Sequence, residues 1–426
     1  MPLKLIIPGR QQADVINAVV NWHRAHSRRD RSVKDWKTVA GYAGTGKTSI
    51  IPNIINGLGI KPSEIEMVCM TAIAAYRMTQ KVKAMGINKD ARTVHDFIYR
   101  PAKRHEIVKN PDGSIVYDDK GNPVLREKLH FDDKRVSESK RARLKLIIFD
   151  EFSMATPKVL NDLLALDIPI LLFGDLGQLP AIEQNTRVRT PIDLKRPDHQ
   201  MTEIYRQGVT HPILWLSEEV RKGNRLVPGT YGANNEVTIM TYADFHKDPA
   251  RRDRWLAHTD QIICAKNDTR IGINDHVRAI HGRRGLPQVG DRLICLKNER
   301  LLWIGEQNLI NGLPATITDV ISMDVKRKRA VVELEIVSPS GAPVRDIVPI
   351  SLEAFGNHLT GDALMRASLD GNLGVFDYAY TMTNHKAQGN EWDNVIVLYE
   401  YLHGINYENW MYPAMTRAGQ HLLIVI

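Results

Sequence analysis

The sequence predicts an α/β protein built on doubly wound, mostly parallel sheets. Two apolar runs, residues 144–149 and 168–173, have the composition of fully buried parallel strands, and each leads into an acidic residue, Asp150 or Asp175. A third apolar run, residues 38–40, leads through a glycine-rich turn into an apolar segment with helical spacing. Strands that alternate with helices and end in polar residues imply a ligand at the carboxyl edge of the sheet.

Length and composition exclude several classes of protein. The 426 residues suffice for roughly two to four domains with buried cores. With 43% hydrophobic and 25% charged residues, the composition excludes a mainly disordered chain, a collagen and a coiled-coil fibre. Three cysteines without a C-x-x-C pair favour a reducing compartment over a disulfide framework. The N-terminal apolar stretch is too short for a signal-peptide core, and no run approaches the roughly 18 residues of a membrane span.

We therefore expect a soluble, intracellular protein with no membrane partner. Lys and Arg number 57 against 49 Asp and Glu, which gives a net charge of +8. Such an excess is compatible with binding a polyanion, but a surface that is merely basic accounts for it equally well. Charge alone does not choose between these readings.

Apolar spacing predicts two helices near the N-terminus. The first covers residues 11–22, and the second covers residues 47–58 and stops at Gly59. Pro52 falls inside the second helix, where it should remove one backbone hydrogen bond and kink the helix.

Two segments interrupt the alternation of strands and helices. Residues 102–143 form a charged surface insertion in which residues 114–117 and 123–125 are expected to pair as a hairpin. Residues 290–349 are rich in β-formers and predict a small β-barrel or sheet. After this segment, apolar strands return at residues 395–399 and 422–426.

Residues 41–48, Gly-Tyr-Ala-Gly-Thr-Gly-Lys-Thr, match the phosphate-binding pattern G-x-x-x-x-G-K-[ST] between a strand and a helix. In this segment, the phosphate loop, backbone N–H groups wrap phosphates at a helix N-terminus. Lys47 is expected to reach the β- and γ-phosphates, and the Thr48 hydroxyl is expected to bind Mg²⁺. The remaining nucleotide contacts are assigned to Gly41, Ala43, Gly44, Thr45, Gly46 and Ser49.

Asp150 and Glu151 directly follow the buried run at residues 144–149. Asp150 is placed to hold Mg²⁺ through water, and Glu151 to polarise the water that attacks the γ-phosphate. An acidic pair at a strand end is by itself more often a strand terminator or a helix cap. Together with the phosphate loop, the pair predicts a chain that binds and hydrolyses a nucleoside triphosphate.

Eight segments, each at an expected element boundary, make the chain resemble the superfamily 1 DNA helicases of the branch that contains RecD and the phage Dda helicase. They are GYAGTGKT (41–48), MTAIAAYRM (70–78), RTVHDF (92–97), IIFDEFSM (147–154), GDLGQLP (174–180), TEIYRQ (202–207), TNHKAQGNEWD (383–393) and MTRA (415–418).

The resemblance implies two RecA-like P-loop domains, each with an insertion. The first domain would cover residues 1–181, with a pin-like β-hairpin insertion at 102–143. The second would comprise residues 182–289 and 376–426, with a small SH3-like β-barrel inserted at 290–375.

The resemblance also assigns further nucleotide contacts. Gln178 would sense the γ-phosphate and couple it to DNA, and Arg206 and Arg417 would reach the γ-phosphate from the second domain. Gln12, favoured over Gln11 by its spacing from the first helix, would read adenine. Gly389 and Glu391 would lie in a loop that approaches the sugar and phosphates.

Contacts with nucleic acid are assigned in the same way. From the first domain, the contacts would come from Thr71, Thr93 and His95, and from the second domain they would come from Thr383, His385 and Lys386. Tyr117 is the nearest candidate for an aromatic residue on a strand-separating pin. The sequence departs from the family at three positions, where Met70 and Ile73 replace the usual Pro and Lys and Asn384 replaces a β-branched residue.

The implied function is an ATP-dependent DNA helicase that couples Mg-ATP hydrolysis to movement along single-stranded DNA, 5′-to-3′ by resemblance, and to unwinding of forked DNA. A monomer would act alone or with replication, recombination or repair proteins. The compact size of the chain suggests that it acts in the cytoplasm of a bacterium or of a phage-infected host. A single-stranded-DNA translocase or remodeller without strong unwinding, and an RNA-directed helicase, remain open. A ring-forming DNA-packaging or recombination ATPase is disfavoured because two arginines of one chain complete the site. A nucleotide-switched binding module is also disfavoured, because a switch would not need Glu151 and both arginines.

Overall fold

The structure is a computed structural model that describes residues 3–28, 30, 32–42, 44–107, 114–115, 117, 123, 125–133, 136–175, 189–193, 196–203, 211–368 and 372–426. At residues 100–107, 125–133 and 300 the description covers the backbone alone. Within these ranges, no helix is long and apolar enough to cross a membrane. The three cysteines are buried free thiols.

The N-terminal half forms a first lobe around a parallel sheet. Its strands are β1 (Trp36–Gly41), β2 (Ile65–Cys69), β3 (Arg92–Thr93), β4 (Tyr99–Ile107), β5 (Leu125–Asp133), β6 (Leu146–Asp150), β7 (Ile170–Gly174) and β8 (His199–Met201). Its helices are α1 (Arg10–Ser27), α2 (Ile51–Leu58), α3 (Ala72–Ala84), α4 (Val94–Ile98), α5 (Glu138–Arg141) and α6 (Pro157–Leu164). The sheet order is β3-β2-β6-β7-β1-β8, with every pair parallel. The loops after β1, β6 and β7 therefore meet at one edge.

Two local predictions for the first lobe need correction. Pro52 lies in the first turn of α2, after a 3₁₀ turn over Thr48–Ile50, and not in a helix interior. At that position the missing N–H has no intrahelical partner to lose, so the predicted kink is wrong. The insertion is a longer hairpin than predicted, since β4 and β5 pair from Tyr99 and Asp133 to Ile107 and Leu125. Sequence reasoning missed this ladder because its strands are charged and lack apolar alternation.

The second lobe and the barrel share the C-terminal half. Its helices are α7 (Pro212–Arg221), α8 (Tyr242–Lys247), α9 (Pro249–His258), α10 (Asn267–Ile280), α11 (Gly361–Ala367), α12 (Asn384–Ala387) and α13 (Tyr407–Met415). The strands are β9 (Gly229–Tyr231), β10 (Val237–Met240), β11 (Gln261–Cys264), β12 (Arg292–Cys295), β13 (Glu299–Ile304), β14 (Gln307–Leu309), β15 (Pro314–Asp324), β16 (Arg329–Val337), β17 (Pro343–Ser351), β18 (Gly374–Tyr378), β19 (Thr381–Thr383), β20 (Trp392–Leu398) and β21 (Ala418–Val425).

The second-lobe sheet has the order β19-β11-β20-β21-β10-β9, and it is parallel except for β9. Helices α7 and α13 cover one face, and α8, α9 and α10 lie on the other face. Strands β12, β15, β16, β17 and β18 close into a barrel, which confirms the predicted barrel insertion. The barrel's last strand ends at Tyr378, so it runs across the domain boundary predicted after residue 375.

A buried ion pair joins the barrel to the second lobe. The Arg278 guanidinium of α10 donates to both carboxylate oxygens of Asp291 at 3.0 and 2.9 Å, and both side chains are almost fully buried. Asp291 also accepts from the Tyr380 hydroxyl at 3.1 Å and from the backbone N–H of Gln288 at 2.9 Å. The pair therefore fixes the start of β12 against α10.

Asp291→Ala is expected to lower the free energy of unfolding by about 3–5 kcal/mol, because the Arg278 charge would stay buried without its partner. Urea unfolding followed by circular dichroism measures the change. The matched control is Asp324→Ala, which removes an exposed partner of Arg327 and should cost less than about 1 kcal/mol. Equal losses in the two variants would contradict the role assigned to the buried pair.

Candidate nucleotide site and nucleic-acid groove

The phosphate loop follows β1 and turns through two left-handed glycines, Gly44 (φ +80°) and Gly46 (φ +77°). Lys47 Nζ donates to the carbonyl oxygens of Gly41 at 2.5 Å and Tyr42 at 3.0 Å. The ammonium group is therefore held within the loop, where phosphate oxygens are the acceptors that its charge favours. Gly41, Gly44, Thr45, Gly46, Thr48 and Ser49 all lie in or directly after this turn, and Ala43 falls outside the described residues.

The acidic pair lies beside the phosphate loop at the end of β6. The Thr48 hydroxyl donates to Oδ2 of Asp150 at 3.1 Å, and the Glu151 N–H donates to Oδ1 of the same carboxylate at 2.9 Å. A hydroxyl and a carboxylate are the hard oxygen donors that Mg²⁺ takes from proteins, with phosphates and water as its other ligands. Thr48 and Asp150 therefore fit the predicted metal position.

Glu151 occupies an unusual backbone and electrostatic position. Its φ of +56° is left-handed for a residue with a side chain, which turns the chain sharply after β6. Burial raises the pKa of the Glu151 carboxyl, and the neighbouring Asp150 charge raises it further. The positive charges of Arg417 and Lys47 act in the opposite direction. A raised pKa makes a carboxylate a stronger proton acceptor, which suits the proton transfer expected of Glu151.

Arg417 reaches this site from the second lobe, in the turn between α13 and β21. Its side chain is 6% exposed, and its guanidinium donates to the carbonyls of Pro413 at 3.0 Å and Asn390 at 3.2 Å. The positive charge of Arg417 lowers the pKa of the Glu151 carboxyl, so a second-lobe arginine lies close enough to the acidic pair to act on it electrostatically. Arg206 and Gln178, the other residues predicted to contact the γ-phosphate, fall outside the described residues.

The loop that contains Gly389 also approaches the acidic pair. A Cβ on Gly389 would lie 3.8 Å from Oε2 of Glu151 and 3.5 Å from the Ala74 Cβ, and the φ of Gly389 is +77°. Glu391 follows in the same loop, directly before β20. The second lobe therefore meets the first at the predicted nucleotide site.

The two candidate glutamines have different environments. Gln12 is 2% exposed, accepts from the Gly9 N–H at 3.1 Å and donates to the Thr45 carbonyl at 3.2 Å. Gln11 instead accepts from the N–H groups of Thr202 at 2.7 Å and Glu203 at 2.9 Å. Of the two glutamines, Gln12 is therefore the one in contact with the phosphate loop.

Sequence reasoning missed two contacts between the lobes. The Arg221 guanidinium of α7 lies over the Tyr42 ring, 3.5 Å from its centroid, and the Tyr412 hydroxyl of α13 donates to Asp175 at 3.0 Å. The one available signal was the aromatic residue in the phosphate loop, because a tyrosine ring can accept a guanidinium on its face. Both contacts connect a first-lobe strand end to a second-lobe helix.

A groove of about 1230 Å³ runs between the first lobe and the barrel. Its first-lobe wall includes Thr71, Thr93 and His95, the three residues for which contacts with nucleic acid are predicted, and the β13–β14 hairpin lines the barrel side. The two threonine hydroxyls accept from backbone N–H groups as the N-caps of α3 and α4. Each hydroxyl hydrogen can still donate to a phosphate oxygen.

The other predicted contacts with nucleic acid lie elsewhere. Thr383, His385 and Lys386 are at the end of β19 and in α12 and are not among the described residues that line the groove. His385 and Lys386 are exposed. Tyr117 is 56% exposed and forms a bridge with Pro123 beyond the β4–β5 ladder.

The departure at position 73 has a structural explanation. Ile73 of α3 is 5% exposed, and a Cβ on Gly312 of the barrel would lie 3.0 Å from it. On the same helix, the Tyr76 hydroxyl donates to the Val337 carbonyl, and Gln80 Nε2 donates to the Ser338 carbonyl at 2.8 Å. Where the family has a lysine, this chain has an apolar contact that holds α3 against the barrel. We call these contacts the α3–barrel clamp.

The parallel sheet of the first lobe thus brings the phosphate loop and the acidic pair to one edge, as in the P-loop NTPases. The chain belongs to the AAA domain family, which it matches over residues 24–241, just over half of its length. It also matches the UvrD-like helicase C-terminal domain over residues 378–425.

Named relatives agree with this assignment. The ATP-dependent RecD2 DNA helicase of Deinococcus radiodurans is 24% identical over 292 residues, which cover 64% of this chain and 35% of that protein. The chain thus spans about a third of that relative's length. The Pif1 helicase from Candida albicans has a TM-score of 0.53 at 16% identity, covering 99% of this chain and 94% of that chain. Bacteroides Pif1 bound to single-stranded DNA has a TM-score of 0.51 at 15% identity, covering 98% and 92%. These findings confirm two predictions: the family, superfamily 1 helicases of the RecD branch, and the fold class.

Glu151→Gln is expected to stabilise the nucleotide-free protein near pH 8. The folded-state pKa of Glu151 is raised, so the protonated carboxyl makes its full contribution to the free energy of unfolding at pH values below the unfolded-state pKa. This contribution is lost as the pH rises through the folded-state pKa. The variant carries no charge to bury, so its thermal midpoint should exceed that of the wild type at high pH, with the difference shrinking as the pH is lowered. Differential scanning fluorimetry across pH measures this difference. The exposed Glu218→Gln is the control, and a difference independent of pH would refute the assignment.

Proposed function

We propose that the chain is an ATP-dependent DNA helicase that translocates along single-stranded DNA, 5′-to-3′, and separates forked duplexes. This proposal rests on one observation, that the two lobes come together at the nucleotide site. The first lobe contributes Glu151 and the phosphate loop, and the second lobe contributes Arg417 and the Gly389 loop. A site divided between two lobes changes when they close or open, and nucleotide turnover can therefore drive movement.

Within the proposed site, each residue has a distinct task. Lys47 neutralises the β- and γ-phosphates, and Glu151 accepts the proton of the attacking water. Thr48 and Asp150 are the residues that would hold Mg²⁺. The metal ion would supply charge neutralisation at the phosphates. Arg417, with Arg206, stabilises charge on the transferring phosphoryl group when the lobes are closed, and Gln178 couples that state to DNA.

The DNA strand is proposed to occupy the groove between the first lobe and the barrel. Thr71, Thr93 and His95 would contact the phosphate backbone there, which positions the strand without reading its sequence. Thr383, His385 and Lys386 would hold the strand from the second lobe. Closing of the lobes shortens the distance between these two grips, and opening lengthens it.

The names of the relatives and the contents of their structures support this proposal. RecD2 is named an ATP-dependent DNA helicase, and one Pif1 structure contains single-stranded DNA. Another concerns unwinding at forked duplex DNA. The exposed Tyr117 favours strand separation over translocation without unwinding, since it provides an aromatic residue on the hairpin insertion. We further propose a monomer in a bacterial or phage-infected cytoplasm, acting with replication, recombination or repair proteins.

Glu151→Gln should retain ATP binding while turnover falls by about 10²-fold or more, the range for loss of a general base. Lys47→Ala should lose both binding and turnover, because it removes the charge on the phosphates. ATPase assays with single-stranded DNA and titrations with a fluorescent nucleotide measure the two effects, with Glu218→Gln as the surface control. Wild-type turnover in Glu151→Gln would exclude the proposed role.

The same proteins test the activity on substrates with one tail. The wild type should unwind a DNA duplex with a 5′ single-stranded tail and leave one with a 3′ tail intact. Streptavidin displacement without unwinding would indicate a translocase, and activity restricted to RNA tails would indicate an RNA-directed helicase. Either outcome would replace the proposed function.

The α3–barrel clamp yields a separate prediction about the groove. The variant Gln80→Cys/Ser338→Cys carries two thiols at a clamp contact, and the three native cysteines are buried. Joining the thiols with a short bis-maleimide after a circular single strand has bound should slow its dissociation at least about tenfold, because the strand is enclosed. Joining them before the strand is added should block binding.

Each single-cysteine variant, treated in the same way, serves as a control for modification without cross-linking. Equal dissociation rates for the linked and unlinked double variants would show that the strand does not run between α3 and the barrel.

A further inference from the structure

A second cavity, of about 560 Å³, lies beside α9 of the second lobe. Its floor is the sheet face on which Thr238, Leu423 and Ile396 stand side by side, because these residues are register partners on β10, β21 and β20. Helices α7 and α13, which carry the contacts to the first lobe, pack on the opposite face of this sheet. We call this cavity the α9 pocket.

The wall of the pocket is cationic. Arg251, Arg254 and His258 follow one another at i, i+3 and i+7 on α9, so they share one helix face. All three are exposed, as is His421 on the facing strand. Arg252, on another face of α9, is paired with Asp253 at 2.8 Å, but in the described part of the chain Arg251 and Arg254 have no carboxylate partner.

This combination is unusual for a helix packed on a sheet, where the facing side chains are normally apolar. Here the two aliphatic floor residues lie at the bottom of the cavity, with Ile396 3% and Leu423 9% exposed, and the charges of Arg251 and Arg254 above them are left unneutralised. A ligand that satisfies both needs an apolar group for the floor and acidic groups for the wall. The volume is within the range of about 300–1,000 Å³ that is typical of ligand pockets.

The chemistry favours a peptide over a nucleic acid. The Trp255 ring stacks on Phe245 at 6.2 Å with an interplanar angle of 2°, and the Arg251 guanidinium lies 4.3 Å from its centroid. The ring's contacts are therefore already taken, and a base has no open aromatic platform on which to stack. An apolar floor also offers nothing to a phosphate backbone, whereas arginines recognise acidic motifs in peptides.

We propose that the α9 pocket binds an acidic peptide segment of a partner protein, with one or two large apolar side chains on the Thr238–Leu423–Ile396 floor and carboxylates paired with Arg251 and Arg254. Glu236, the acidic residue in the described lining, accepts from the Asn234 N–H at 3.0 Å. Because the pocket and the lobe interface are on opposite sheet faces, a docked partner would leave the motor free to close.

Fluorescence anisotropy with a fluorescein-labelled peptide, Gly-Ser-Asp-Asp-Asp-Leu-Phe, tests the proposal on the full chain. Saturable binding is expected, and Arg254→Glu and Thr238→Trp should each weaken it by about tenfold or more, the first by charge reversal and the second by filling the floor. The matched control is Arg327→Glu, an exposed charge reversal on the barrel, which should leave affinity unchanged. DNA-stimulated ATPase should be normal in all three variants.

Two changes to the peptide separate the contributions of floor and wall. Replacing Leu-Phe by Ser-Ser, or the three Asp by Asn, should each abolish binding. Equal affinity of the wild type and Arg254→Glu would overturn the proposal. Loss of oligothymidine binding in Arg254→Glu, with no peptide binding by the wild type, would assign the pocket to nucleic acid instead.

Discussion

The hydrogen bond between Thr48 and Asp150 joins segments 102 residues apart and depends on the parallel order of the first-lobe sheet. Strands β1 and β6 lie on either side of β7, so the loops after them leave the sheet at the same edge. A phosphate loop and a carboxylate thereby come together without any sequence proximity. Directly after Asp150, the chain turns through Glu151, whose φ of +56° is left-handed.

Placing Glu151 beside Asp150 in a buried site has an electrostatic cost that the second lobe reduces in part. The pKa of Glu151 is raised by burial and by the adjacent charge, while Arg417 acts from across the cleft to favour the ionised form. Tyr42 with Arg221, and Asp175 with Tyr412, add contacts at the same interface. Interactions between the lobes are thus concentrated around the residues proposed to handle the γ-phosphate, which is where a nucleotide can bias opening and closing.

The barrel is attached on two sides, and the two attachments differ in chemistry. Arg278 and Asp291 fix it to the second lobe through a buried ion pair. Ile73 and the backbone carbonyls at Val337 and Ser338 connect it to α3 of the first lobe through apolar packing and neutral hydrogen bonds. Neutral contacts of this kind release more readily than a desolvated bidentate pair. We therefore expect the barrel to move together with the second lobe. The α3–barrel clamp forms one edge of the groove.

The sequence alone determined the class of fold, the phosphate loop, the acidic pair and the barrel, because each depends on local patterns of apolar runs, glycines and β-formers. It also identified the family, since eight segments occur in order. Tertiary structure decided what periodicity cannot encode. The charged strands β4 and β5 pair in a long ladder without apolar alternation. Ile73 packs against Gly312 of the barrel, a residue far from it in the sequence. The spacing from the first helix favoured Gln12 over Gln11, but the contact of Gln12 with the phosphate loop and that of Gln11 with Thr202 depend on how α1 packs in the folded chain.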